Sequence, residues 1–239
     1  MQLGRAARGF SLVELAVVLV IIGFLMVSGI LAFNAQIDTR NYEETTRRLN
    51  LAAEHVLAFA IANRRLPCPA APSSTGVESI TGGACNNSFT GFLPAQTIGF
   101  PYFDSDRYAL DAYNNRIRYA VAAAITGCTG SSTTPHFSSA NNLKANGISC
   151  RPNDLDVCTT AACAARVIST QTAVIVLVST GKNGALTGTY VTDESENTDG
   201  DARFVSRTPG GGTDTYDDIV LAVPVGVLYS RLTTAGVLP

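Results

Sequence analysis

Residues 10–33 read FSLVELAVVLVIIGFLMVSGILAF, and this stretch decides how the rest of the chain is organised. Its polar side chains are two serines and one acid, Glu14. The apolar run from Leu15 to Phe33 is long enough to cross a bilayer as a helix, which takes about 20 residues. Two arginines and no acid precede it. The positive-inside rule therefore predicts a cytoplasmic N terminus, with the remainder of the chain outside the inner membrane.

Two ordinary interpretations of such a stretch leave part of it unexplained. A secretory signal has an apolar core of about 7–15 residues followed by an A-x-A-like site, whereas this run is longer and a polar helical sequence follows it. A plain single-span anchor fits the length but not Glu14, because a carboxylate within an apolar span costs about 2–3 kcal/mol. Glu14 therefore either lies among solvated headgroups or has a functional partner.

The segment Arg8-Gly9-Phe10-Ser11-Leu12-Val13-Glu14-Leu15 resembles the processing site of type IV prepilins and of type II secretion pseudopilins. The resemblance implies that a prepilin peptidase cleaves between Gly9 and Phe10 and then methylates Phe10. It also implies that Glu14 pairs with the N-terminal amine of a neighbouring subunit. Such pairing agrees with physical chemistry, since an unpaired acid among apolar helices is costly and selects the register that supplies a cation.

The helical pattern continues beyond the apolar stretch. No Gly or Pro occurs from Thr39 to Arg65, and apolar residues recur there with i, i+3, i+4, i+7 spacing. Pro67 then ends the pattern. The sequence thus predicts one helix over residues 10–65, about 80 Å long, whose second half packs under a globular head. The residues of that packed face are Leu49, Ala53, Val56, Leu57, Ala60 and Ile61.

Six cysteines, all after residue 65, indicate disulfides formed in an oxidising compartment. Zinc is the alternative, but the cysteines lack C-x-x-C spacing and the two histidines lack ligand-like spacing to them. Other connectivities are open, and proximity along the chain is the only reason for preferring one. The preferred pairs are Cys68–Cys85, Cys128–Cys150 and Cys158–Cys163.

The head reads as short strands separated by polar loops, which is typical of an α+β fold. Strands are predicted over 116–121, 172–179, 202–207 and 217–223. The second of these is apolar throughout, so it is expected at the centre of the sheet. The turn at 111–115 resembles one in pseudopilin heads, with Asn115 in the position of a glycine. The resemblance implies a positive φ at Asn115, which asparagine tolerates.

The sequence lacks a nucleophile elbow and a phosphate-binding loop, so we predict a protein that is not an enzyme and has no catalytic residues. Hydrolytic triads built from distant residues remain the alternative. The net charge of −2 gives no reason to expect contact with nucleic acid.

No cofactor is expected apart from calcium. Asn197-x-Asp199-Gly200-Asp201 places hard oxygens at alternate positions, as calcium loops do, but it lacks the later glutamate of an EF-hand. Residues 179–184 and 217–219 resemble segments flanking the calcium loop of major pseudopilins, with Asn183 in place of an aspartate. The alternative is a solvated acidic loop. The candidate ligands are Asp199, Asp201, Asp217 and Asp218.

The overall prediction is a type IV pilin fold: a long N-terminal helix packed on a small antiparallel sheet with disulfide-bonded loops. The expected parts are a basic leader (1–9), a transmembrane and filament-core half of the helix (10–33), an amphipathic half (34–66) and a periplasmic head (67–239).

The expected role is structural, as a minor pilin or pseudopilin of a type IV pilus or type II secretion pseudopilus. Its expected partners are other pilin or pseudopilin subunits, the prepilin peptidase and an inner-membrane assembly platform. The alternative is a secreted or membrane-anchored periplasmic protein, either a binding module or an enzyme, that uses the N-terminal segment only for export.

Overall fold

The computed structural model describes residues 11–128, 135–184, 192–210 and 215–238, and of residues 27–35 it describes the backbone alone. Helix α1 runs from Leu12 to Asn63. The predicted helix is therefore confirmed, although it ends two residues early, where Arg64 takes a left-handed φ of 59°. The chain divides into two compact units, and the boundary between them lies at Asn41 and Tyr42.

The membrane span that the sequence predicts over residues 10–33 is not confirmed. Within the described part of the chain, no helix is both long enough and apolar enough to cross a bilayer.

The part of α1 that belongs to the second unit buries one face. Five of the six predicted face residues are buried, and Ile61 is partly buried against the same core. The helical repeat brings residues three and four apart onto one side, so these side chains pack together on the head. Each large aliphatic side chain buried in this way contributes about 1.5–3 kcal/mol.

The other elements of the described residues are short. The helices are α2 Ala95–Ile98, α3 Ala140–Asn146, α4 Thr192–Glu196 and α5 Val225–Thr234. The strands are β1 Ile80–Thr81, β2 Ala84–Cys85, β3 Gly91–Phe92, β4 Arg118–Val121, β5 Ile125–Thr126, β6 Arg151–Pro152, β7 Asp156–Cys158, β8 Ala173–Ser179, β9 Arg203–Val205 and β10 Ile219–Pro224.

The main sheet has four antiparallel strands in the order β10-β8-β4-β3. Strand β8 lies between two neighbours and all its residues are buried, as its continuous apolar sequence predicts. The predicted strand over 202–207 is shorter and pairs with β7 in parallel, outside this sheet. The fold is thus α+β with antiparallel sheets, to which one short parallel pair is added.

Three disulfides join Cys68 to Cys85, Cys128 to Cys150 and Cys158 to Cys163. These are the pairs that proximity along the chain favours. Because no cysteine is left free, the alternative of a zinc–thiolate site has no thiolate to build it.

One detail of the turn before β4 differs from the prediction. The residue with positive φ is Asn114, at 67°, and not Asn115. Asn115 instead donates its backbone N–H to Asp111 Oδ1 and its side-chain amide to the carbonyl of Gly181. The prediction was wrong by one residue because both candidate positions hold asparagine, which tolerates the left-handed conformation equally well at either.

Candidate functional site

Helix α1 begins with a reciprocal cap. The backbone N–H of Ser11 donates to Glu14 Oε2 at 3.0 Å, and the backbone N–H of Glu14 donates to Ser11 Oγ at 3.2 Å. This is the capping-box arrangement of a Ser followed three residues later by a Glu. Glu14 therefore has a local partner within its own chain. The predicted processing residues Gly9 and Phe10 lie outside the described residues.

The helix after this cap presents an apolar surface to solvent. Every residue from Ser11 to Met26 is exposed, and large side chains such as Leu19 and Phe24 have 62% and 79% of their area accessible. A soluble monomer rarely shows so extended an apolar surface, and large exposed patches usually mark contact with a membrane or another protein. The first unit thus offers a surface suited to such a contact.

The four aspartates predicted as calcium ligands do not form one site. Asp199 and Asp201 lie with Glu196 in one group, and Asp217 and Asp218 lie with Glu194 in another. In the first group both aspartates are exposed. Asp199 accepts the backbone N–H of Asp201, and Asp201 accepts the backbone N–H of Arg203. Burial, followed by repulsion from the two aspartates, raises the pKa of Glu196. This group fits the solvated acidic loop that is the alternative to a metal site.

The second group, here called the buried acidic cluster, consists of Glu194, Asp217, Asp218 and the adjacent Asn183. Strands β8 and β10 pair with Ile219 opposite Ser179, so the residues just before β10 lie beside those just after β8. This register brings Asp217 to the turn that follows β8, where its Oδ2 accepts the backbone N–H groups of Lys182 and Asn183 at 3.1 and 3.2 Å.

The turn needs glycine at position 181. Gly181 has a φ of 60°, and a Cβ there would overlap the carboxylate and carbonyl of Asp217. Glycine allows both the left-handed conformation and this close approach. The structure thus explains why the motif at 179–184 has a glycine at position 181.

Glu194 reaches the cluster from α4. It is fully buried, and its carboxylate accepts the side-chain amide of Asn183 and, at 2.9 Å, the backbone N–H of Asp217. One carboxylate oxygen from each of Glu194, Asp217 and Asp218 lies within 4.8 Å of the others. Sequence analysis missed Glu194, because nothing local distinguishes it from the neighbouring acids of residues 193–201.

The carboxylates of the cluster repel one another in a desolvated place. Burial, with a further contribution from Glu194, raises the pKa of Asp217 to about 6. Burial also raises the pKa of Asp218 to about 7. The hydrogen bond that Asp218 Oδ2 accepts from Asn197 at 2.7 Å lowers this pKa, but by less than burial raises it. Both shifts mean that the ionised state is disfavoured in this place unless a cation is added.

Three buried acceptor oxygens of the cluster have no partner among the described residues. They are Asn183 Oδ1, Asp217 Oδ1 and Asp218 Oδ1. Asp218 is only 3% exposed, so water does not readily satisfy it. Carboxylate and amide oxygens are the ligands that calcium prefers, and it takes six to eight of them. The residues present therefore fit a calcium ion.

Comparison with known proteins identifies the N-terminal segment. The family model described as the prokaryotic N-terminal methylation motif matches residues 4–30. This motif is the signature of prepilin-type cleavage in type IV pilins and pseudopilins, so the resemblance stated from residues 8–15 is confirmed. No curated protein and no solved structure shows significant similarity to the chain.

Proposed function

We propose, from the prepilin-type signature at residues 4–30, that this chain is a minor pilin or pseudopilin, a structural subunit of a type IV pilus or type II secretion pseudopilus. The chain is inserted in the inner membrane with its head in the periplasm, cleaved between Gly9 and Phe10, methylated on Phe10 and then assembled. Its partners are the prepilin peptidase, an assembly platform in the inner membrane and other subunits of the filament.

The observation that carries this proposal is the motif, and the exposed apolar surface of α1 supports it. An apolar helix that is exposed along residues 11–26 needs a non-aqueous environment. Lipid provides that environment before assembly, and the helices of neighbouring subunits provide it afterwards. The same surface is thereby used twice.

Glu14 gives the assembly its register. In the single chain its carboxylate caps α1 through Ser11. During assembly it exchanges that weak local bond for the N-terminal amine of a neighbouring subunit, because a charge pair in an apolar interior is far stronger than a cap in water. A helix displaced along its neighbour would leave the acid without a cation, which is costly there.

Calcium stabilises the head of this subunit. Asp217, Asp218 and Asn183 would hold the ion through their unsatisfied oxygens, and the ion would supply the positive charge that the desolvated aspartates require. Asp199 and Asp201 are not included, since they lie in the exposed group.

The mature N terminus tests the function directly. Mass spectrometry of the protein from native membranes should give a chain that begins with methylated Phe10. A mature chain that begins after residue 30 would support the competing interpretation, an export signal on a secreted binding module. A chain that keeps residues 1–9 would contradict processing altogether.

A further inference from the structure

Glu194 lies in the buried acidic cluster although it belongs to neither of the segments, 179–184 and 217–219, that resemble those flanking a calcium loop. It comes from α4, 11 residues after Asn183 in the chain, and it is fully buried. Both of its oxygens lie at hydrogen-bond distance from Asn183 Nδ2, at 3.0 and 2.9 Å. A fully buried glutamate is rare unless a partner compensates its charge.

Because residue 183 is an asparagine, the cluster has one negative charge fewer than it would have with an aspartate at this position. Glu194 lies directly against that amide and brings a carboxylate to the same place. Its Oε1 accepts both the amide of Asn183 and the backbone N–H of Asp217, whereas its Oε2 accepts the amide of Asn183 alone and so keeps a free lone pair among the described residues. Oε2 can therefore bind a cation without giving up these hydrogen bonds.

A ligand, and not only a hydrogen-bond network, is indicated by the oxygens that remain. Asp218 is only 3% exposed, and its Oδ1 has no hydrogen-bond partner among the described residues. Asp217 and Asn183 are partly buried, but their Oδ1 atoms are themselves buried and lack a partner there as well. Further acceptors cannot satisfy acceptors, so these three oxygens require a cation or donors such as water.

We propose that Glu194 is a direct ligand of the calcium ion in the buried acidic cluster, where it replaces the carboxylate that Asn183 lacks. This inference rests on the calcium site proposed above. With Glu194, the cluster has three carboxylates within 4.8 Å of one another, enough to neutralise a divalent cation.

The assignment makes calcium a clamp between α4 and the main sheet. Asp217 and Asp218 directly precede β10, whereas Glu194 lies in α4. The neighbouring Asp193 accepts the backbone N–H of Ala161, inside the loop closed by Cys158 and Cys163, at 2.8 Å. Binding at Glu194 therefore fixes α4 and, through it, this disulfide loop.

Calorimetric titration with calcium chloride tests the assignment on the full-length chain in detergent micelles. The variants are Glu194→Gln, the matched control Glu196→Gln from the exposed group, and the double variant Glu194→Gln with Asn183→Asp. We expect Glu194→Gln to weaken calcium binding on the order of 10- to 100-fold or more. Glu196→Gln should bind as the wild type does, and the double variant should regain affinity because the carboxylate returns on the contacting residue.

A second readout follows the clamp itself. Calcium should slow hydrogen exchange in residues 155–165 and 192–207 of the wild type but not of Glu194→Gln. Wild-type affinity in Glu194→Gln would overturn the role of Glu194 while leaving the ion on Asp217 and Asp218. A loss that Asn183→Asp does not restore would also count against a direct ligand. No calcium binding by the wild-type chain would overturn the site and this inference together.

Discussion

Ser179 Oγ donates a hydrogen bond of 2.6 Å to Asp111 Oδ2, and both residues are fully buried. Asp111 Oδ1 also accepts the backbone N–H groups of Tyr113 and Asn115, each at 2.8 Å. The turn before β4 is thereby tied to the end of β8. On its other side, Arg48 of α1 donates to the carbonyl of Asp111 at 2.6 Å, so one residue connects the helix, the turn and the sheet.

Removal of this carboxylate should destabilise the head strongly. Asp111→Ala leaves two backbone amides and one buried hydroxyl without their acceptor, and each unsatisfied group costs about 1–3 kcal/mol. We expect a loss of about 3 kcal/mol or more in the free energy of unfolding, measured by urea denaturation.

Asp111→Asn should cost less, because its amide oxygen still accepts the two backbone N–H groups and the Ser179 hydroxyl can turn to accept from the amide. Burial raises the pKa of Asp111, so loss of the charge by itself is a small penalty. The exposed Asp106→Ala is the matched control and should change stability little. Equal stability of all three variants would contradict the role given to Asp111.

Assembly and helix capping can be separated at the start of α1. Glu14→Ala should abolish filaments while the chain still inserts in the membrane, because insertion depends on the apolar helix, whereas the acid pairs with a cation where subunits meet. Sheared filaments and washed membranes, probed by immunoblotting, report these two properties.

Ser11→Ala is the control for this experiment. It removes the bond from the backbone N–H of Glu14 to the serine hydroxyl, which costs about 1 kcal/mol of helix stability, but leaves the carboxylate of Glu14 available to a neighbour. We expect filaments from this variant. If Ser11→Ala lost filaments as completely as Glu14→Ala, the capping contact and not the intersubunit pair would explain the need for Glu14.

Periodicity and composition predicted the elements whose signal is local. The face of α1 from Leu49 to Ile61 follows from the helical repeat, and β8 follows from its unbroken apolar run. Helix α5 was missed although its buried residues Leu228, Tyr229 and Leu232 have helical spacing. It directly follows β10, with Pro224 as the only break, so one apolar segment holds both elements.

Pairings between distant segments had no local signal. Strand β9 pairs with β7 in parallel across more than forty residues, as Asp156 does with Arg203. The buried acidic cluster depends on the same kind of information. Asp217 and Asp218 were found through a motif, whereas Glu194 differs from its acidic neighbours only in where α4 places it. Such a ligand is evident only after the chain is folded.

His136 should make stability depend on pH in the mildly acidic range. It is fully buried, and burial lowers its pKa from the ordinary 6.5 to about 4. The unfolded chain therefore binds a proton between these values that the folded chain does not. The stability that the neutral His136 contributes is complete above pH 6.5 and decreases as the pH falls towards 4. The full decrease in the free energy of unfolding is about 3 kcal/mol.

The comparison with His136→Asn isolates this contribution. The amide oxygen of asparagine can take the place of Nδ1, which lies 3.4 Å from Asn146 Nδ2, and asparagine does not titrate. Asp217 and Asp218 have raised pKa values and act in the opposite direction, but they are present in both proteins and cancel in the difference. Urea unfolding of both proteins at several pH values should show the stability difference narrowing or reversing as the pH falls below 6.5. A difference that stays constant over this range would mean that His136 is protonated as readily in the folded protein as in the unfolded chain.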